Sequence, residues 1–121
     1  MGPATRPEWL DLTAIGRFSV PLEGGYFDRH HHDYNELWLI IKGKAKVFSE
    51  GAEHYVQAGD VLITQAGDTH DVIEVYEGLE GFFVETGLPG GGRPGHLHNS
   101  GEQRDGHFVP ARALPPDFPA R

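Results

Sequence analysis

Four side chains in this sequence have the types and the spacing to hold a divalent metal ion. His30, His32 and Glu36 stand in the pattern Gly24-x5-His30-x-His32-x3-Glu36-x6-Gly43, which runs through the apolar stretch Leu37-Trp38-Leu39-Ile40-Ile41. Side chains two apart on an extended strand share a face, so His30 and His32 point the same way and Glu36, four further on, returns to that face. Neutral imidazole nitrogen and carboxylate oxygen are a usual ligand mixture for Fe, Mn, Ni, Zn, Co or Cu. A fourth donor is available at His70. There a Gly59-Asp60 turn launches the run Val61-Leu62-Ile63-Thr64, and a second turn, Gly67-Asp68, precedes the histidine. The set predicts one divalent transition metal per chain. Three imidazoles and one carboxylate leave coordination positions open to water, dioxygen or a substrate chelating through adjacent oxygens. Three consecutive histidines also suit a solvated loop or a tag remnant, but tags sit at termini and bring no Glu36 and His70 in register. His31 has the opposite parity and faces away.

Other residues share the parity of the ligands. Tyr34, Trp38, Ile40, Val72 and Tyr76 would line the cavity beside the metal, and the plain reading of Ile40 and Val72 is core packing. Trp38 and Tyr76 keep polar handles and are candidate substrate-binding residues; Tyr34 is a candidate catalytic one. Glu74, four beyond His70, would then also point inward as a second catalytic candidate, a desolvated general acid or base. The alternative for Glu74 is a rim carboxylate in water, and a bulge near Asp33 would invert part of the assignment. Arg93 lies in the glycine-rich stretch after Thr86, where it is either solvated or clamps an anionic substrate. His96 and His98 repeat the His-x-His spacing without a carboxylate in register and read as loop residues.

Both motif segments resemble the paired motifs of the cupin superfamily. The first matches G-x5-H-x-H-x3-E-x6-G at every fixed position, with Gly24, His30, His32, Glu36 and Gly43. The second follows G-x5-P-x-G-x2-H-x3-N with Gln65 in place of proline and Glu74 in place of asparagine. Residues 44 to 58 separate the two, a spacing similar to that of small single-domain cupins. The resemblance covers residues 15 to 86 and implies an all-β fold, a double-stranded β-helix or jelly-roll barrel with the metal inside one end. It also implies enzyme-like chemistry on a small oxygenated substrate. One form is isomerase, epimerase or lyase-type work on a sugar-like or polyketide-like compound; the other is a metal-dependent dioxygenase. The stretch from His31 to Leu37 is similar, too, to the sugar-sensing cupin halves of arabinose-regulator-type transcription factors, which implies a third reading as a non-catalytic sensor. Such regulators carry a helical DNA-binding region, and no amphipathic helix of useful length is legible here.

The elements that must position these residues read as strands and turns. Seventeen glycines and nine prolines punctuate short apolar runs at Phe18 to Leu22, Leu37 to Ile41, Ala45 to Phe48, His54 to Gln57, Val61 to Thr64, Val72 to Tyr76 and Gly81 to Glu85. The organisation expected is an N-terminal arm at 1–14, the barrel at 15–86, and a glycine- and proline-rich loop and tail at 87–121. Gly106-His107-Phe108-Val109-Pro110 is a candidate last strand, and the tail from Leu114 is expected to lie extended over the barrel or a neighbour. The run from Leu37 to Ile41 is apolar on both faces, as a central strand requires. Its outward residues Leu37, Leu39 and Ile41 predict a homodimer, because one 121-residue chain covers such a face poorly.

Charge and composition narrow the partners. Eighteen acidic against ten basic residues give a formal net charge of −8, which argues against a nucleic-acid surface and for a small-molecule substrate. The absence of cysteine removes disulfides and thiolate ligands and suits a cytoplasmic protein. No signal-peptide core and no run of membrane-spanning length is present, so no membrane partner is expected.

Overall fold

A computed structural model describes residues 1–2, 4–22, 26–27, 35–86 and 107–120. These residues form strands β1 (Leu12–Val20), β2 (Tyr26–Phe27), β3 (Glu36–Ser49), β4 (Ala52–Gln57), β5 (Val61–Thr64), β6 (His70–Thr86) and β7 (His107–Phe108). The long antiparallel pair β3 and β6 is the spine, running from Glu36 opposite Glu85 to Ser49 opposite His70. β1 covers the far edge of β6 from Leu79 to Thr86. On the other edge of β3, β5 pairs with Glu36 to Leu39 and β4 with Lys44 to Ser49. β2 and β7 form a separate two-stranded ladder, so the candidate strand at His107 and Phe108 is present.

Two pairs of sequence runs merge in the structure. Leu37 to Ile41 and Ala45 to Phe48 belong to one strand, as do Val72 to Tyr76 and Gly81 to Glu85, because each of β3 and β6 supplies the other's ladder through the polar residues between the runs. The ladder shifts register at Ile40/Lys42, Lys42/Lys44, Lys44/Ala45 and Lys46/Val47. At the middle of the spine Gly43 has φ +93°, and a Cβ there would stand 2.1 Å from the Gly78 carbonyl oxygen. The fixed glycine of the first motif is thus a point where two backbones touch, open only to a residue without a side chain.

The register lays the inward side chains in rungs across four strands. Ala14, Glu85, Glu36 and Thr64 form one rung, all buried. Gly16, Phe83, Trp38 and Leu62 form the next. Gly16 leaves room for the Phe83 ring, which a Cβ would meet at 2.3 Å. Below them Ile40, Ala45, Val47, Val72, Val75 and Leu79 are packed into the core, with Val20, Val56 and Val109, and Phe27 of β2 packs against it. Each fully buried valine or leucine contributes about 1.5–3 kcal/mol relative to an exposed one.

Both ends of the chain are tied to this sheet. The Met1 and Ile15 backbones exchange hydrogen bonds, and β1 begins at Leu12, before the barrel start expected at residue 15. After β7, the chain bonds to β6 through Val75 N–H to Pro110 O (3.1 Å) and Arg112 N–H to Val75 O (3.0 Å). It then crosses the outer face of the sheet. The Tyr55 hydroxyl donates to Asp117 Oδ1 (2.9 Å), Gln57 Nε2 donates to Pro119 O (3.2 Å), and the Phe118 ring lies against Tyr55 and Tyr76.

Candidate functional site

The inward rung at Glu36 is where the two motifs meet. Glu36 opens β3 and His70 opens β6, and although the strands run antiparallel with these residues at opposite ends of the ladder, the sheet curls enough to bring His70 Nε2 to 3.1 Å from Glu36 Oε1. Both side chains are buried. Trp38, one rung below, donates its indole N–H to the same Glu36 oxygen at 3.0 Å. Its ring centroid lies 5.0 Å from His70, 5.1 Å from Phe18 and 5.4 Å from Phe27. An aromatic floor therefore fixes both donors, and the indole's polar handle is directed at Glu36. Ser49 and Thr64 add a 2.6 Å hydroxyl pair on the same face, at the positions paired with His70 and Glu36.

The donor chemistry fits a divalent first-row metal: a buried carboxylate oxygen and an imidazole nitrogen at one point, on rigid strands. Glu36 and His70 would hold it together with His30 and His32, which lie outside the described residues, as do Tyr34, Arg93, His96 and His98. Among the described residues no third His, Cys, Asp or Glu completes a metal-holding group.

Glu74 and Tyr76 are not at this point, which corrects their expected position beside the metal. Val47 pairs with Val72 but Lys46 pairs with Glu74, so Ile73 is an extra residue and the alternation of faces restarts after it. Val75, not Glu74, goes into the core. Glu74 stands in register with Lys46 and accepts a 2.7 Å hydrogen bond from the Tyr76 hydroxyl. Tyr76 packs on Tyr55 and Phe118 beneath the C-terminal tail. Burial, then the Glu74 carboxylate, holds the Tyr76 hydroxyl far above the usual phenol range. Its hydrogen bond to Asp117, then burial, raises Tyr55 as well. These contacts seat the C-terminal tail.

Sequence reasoning missed Glu85, which is 3% exposed and directly opposite Glu36. The available signal was its two-residue spacing from Phe83 and Gly81, which share its face. That signal needed the register with β3 to gain meaning.

Comparison with known proteins agrees with this fold. The profile of the AraC-like ligand binding domain matches residues 14–84. The uncharacterized protein y4oW of Sinorhizobium fredii is 39% identical over 71 residues, which make up 59% of this chain and 33% of that protein. The chain thus spans about a third of the length of that relative. Among solved structures, the polyketide cyclase RemF of Streptomyces resistomycificus aligns with a TM-score of 0.58 at 19% identity, over 79% of this chain and 68% of its own. A double-stranded β-helix protein of Klebsiella pneumoniae gives 0.57 at 18% identity, over 78% and 90%. A predicted oxalate decarboxylase of Thermotoga maritima gives 0.54 at 23%, over 64% and 69%. At these identities the likeness establishes the double-stranded β-helix fold.

Proposed function

From the premise that the chain belongs to the AraC-like ligand binding domain family, within the cupin superfamily, we propose that it is a metal-dependent cupin that takes a small oxygenated molecule into the barrel and acts on it as an isomerase, epimerase or lyase. The observation that carries this reading is the buried contact between Glu36 and His70, one donor from each motif, at 3.1 Å. His30, His32, Glu36 and His70 would hold a divalent ion, and the chemistry it would supply when bound is polarisation of an oxygen-bearing group of the substrate. The chain's own residues do the rest. Trp38 orients the Glu36 carboxylate through its N–H and, with Phe27 and Phe18, keeps water from the floor of the site. Ser49 and Thr64 offer hydroxyls to a polar ligand. With Glu74 on the outer face, the proton-transfer role falls to Tyr34. The resemblance to a polyketide cyclase in fold is in keeping with a polyketide-like or sugar-like substrate.

The experiment is metal analysis of protein purified without a polyhistidine tag, followed by a turnover screen against oxygenated candidates. Close to one divalent ion per chain is expected, and the double change His30→Ala/His32→Ala should lose it while circular dichroism keeps its β signature. Full metal content in that variant would sink the assignment. A second reading, sensing without turnover, is favoured by the family's ligand-binding description. Tight, saturable binding of a compound that is recovered unchanged selects it, whereas dioxygen consumption in the same screen selects a dioxygenase.

We also propose that the working unit is a homodimer formed by the outer face of the sheet. Val61 and Ile63 of β5 are 55% and 60% exposed and stand in register with Leu39 and Leu37, which in turn face Phe82 and Val84 of β6. This uncharged face spans three strands and is bordered by the ion pairs of Glu80 with Arg17 and Lys42. In a molecule of net charge −8 it is the surface on which a second copy meets least repulsion.

A further inference from the structure

The turn that leads into His70 is held from both ends of one strand. β3 runs from Glu36 to Ser49, and the residues just outside it are Asn35 and Glu50. Glu50 Oε1 accepts the backbone N–H of Gln65 at 2.9 Å, and Asn35 Oδ1 accepts that of Ala66, the next residue, at 2.8 Å. The turn closes through Asp68 N–H to Gln65 O (3.0 Å), with Gly67 at φ +87°, and delivers the chain to His70. Asn35 is fixed in its turn, since its carbonyl oxygen accepts the Thr86 N–H at 3.0 Å. Two consecutive amides thus tie the opposite ends of β3 to one turn, and the residue that follows this turn brings its Nε2 to 3.1 Å from Glu36 Oε1.

Two features single out Glu50. In the hairpin between Ser49 and Ala52 it has φ +53°, a left-handed conformation that suits Gly, Asn or Asp and that a longer side chain adopts at a cost. Its partner Gln65 stands where the pattern of the second motif has proline. Proline at that position fixes φ and has no N–H to give. Gln65 leaves φ unconstrained and offers an N–H, and that N–H is the one Glu50 takes. We propose that Glu50 and Asn35 are positioning residues of the metal site, a clasp that seats the turn before His70, and that the Glu50–Gln65 bond supplies the rigidity that proline gives the motif. This inference rests on the metal reading of the preceding subsection. Both residues act through the aim of His70 at Glu36 rather than as ligands.

The test is titration of Co2+ into metal-stripped full-length chain, read by calorimetry and by the visible absorption of the bound ion, with the unfolding temperature of each metal-free protein measured alongside. Glu50 and Asn35 are both exposed, so their variants should fold. Glu50→Ala keeps the Cβ and removes the acceptor. It should weaken Co2+ binding about 2- to 10-fold, the equivalent of one hydrogen bond, and shift the absorption bands as His70 loosens; Asn35→Ala should do the same. Glu50→Gln keeps an acceptor oxygen and should bind as wild type does. Gln65→Pro restores the rigid turn by itself and should also bind as wild type does, and adding Glu50→Ala to it should then change neither affinity nor spectrum. Affinity and spectrum unchanged in Glu50→Ala or in Asn35→Ala overturn the proposal, whatever happens to the unfolding temperature, because the bonds are then structural only. A Glu50→Ala loss that persists in full beside Gln65→Pro overturns it as well, as does a Gln65→Pro chain that fails to fold or to bind. A wild-type chain that takes up no Co2+ overturns it together with the metal reading.

Discussion

The Trp38 indole ties the core to the chemistry, because the same ring that packs on Phe18, Phe27 and His70 also donates to the Glu36 carboxylate. Trp38→Phe removes that donor from a buried acceptor, which should cost about 1–3 kcal/mol of stability and leave Glu36 less firmly aimed. Denaturant unfolding measures the first effect and metal titration the second; unchanged values in both would show that the hydrogen bond does little. Glu74 makes the opposite case. Glu74→Gln should leave metal content unaltered and turnover close to wild type, in contrast to the roughly 10²–10⁴-fold loss expected for a general acid or base. A loss of that size would return Glu74 to the mechanism and require the outer sheet face to be part of the site. The departure from the family asparagine at this position is explained instead by Tyr76, whose hydroxyl Glu74 accepts at 2.7 Å.

At the scale of elements, the C-terminal tail behaves as a strap over the face opposite the site. It is held by the Tyr55 hydroxyl on Asp117 and by Phe118 against Tyr55 and Tyr76. Both tyrosines are raised above the ordinary phenol range on folding, Tyr55 first by its hydrogen bond to Asp117 and Tyr76 first by burial. A group raised on folding contributes stability that is fully present below its unfolded value and is lost as pH rises through the folded one. The strap should therefore hold to about pH 10 and weaken above it, which phenolate absorbance and the protease sensitivity of residues 112 to 120 would report together. Cleavage that does not change across that alkaline range would show that the tyrosines do not hold the tail. Glu80, by contrast, is held below the usual carboxylate range by its hydrogen bond with Arg17, so its contribution is present above the unfolded value and lost as pH falls into the acid range. The two ends of the pH scale thus load different parts of the outer face of the sheet.

For the whole molecule, one chain leaves an apolar stripe of Val61, Ile63 and Phe82 in water, beside the half-buried Leu37 and Leu39. Two sheets stacked face to face about 10 Å apart would cover it. Light scattering at micromolar concentration should give twice the chain mass of 13.3 kDa, and the double change Val61→Lys/Ile63→Lys should return the single-chain mass without loss of metal, since neither residue touches the inner face. A single-chain mass for the wild type would leave the stripe without a second copy to cover it.

The sequence by itself determined the kind of protein. Alternating apolar runs between glycine turns require strands, and His30, His32, Glu36 and His70 carry motif spacing specific enough to name the superfamily and the donor chemistry. Val61 to Thr64 is read at its observed bounds because turns close both its ends. The face on which each later residue lands was decided only by the tertiary structure. Parity counts correctly along β3 from Glu36 to Ile40, where the ladder is regular, and fails beyond Val72, where one extra residue at Ile73 moves Glu74 and Tyr76 to the outer face. A bulge leaves no mark in residue types, since it is a property of how two strands share hydrogen bonds. For the same reason Glu85 looks like the polar end of an apolar run until the register sets it opposite Glu36. The tail's seat on Tyr55 and Tyr76 likewise depends on contacts between residues about 40 to 60 positions apart, which local pattern does not encode.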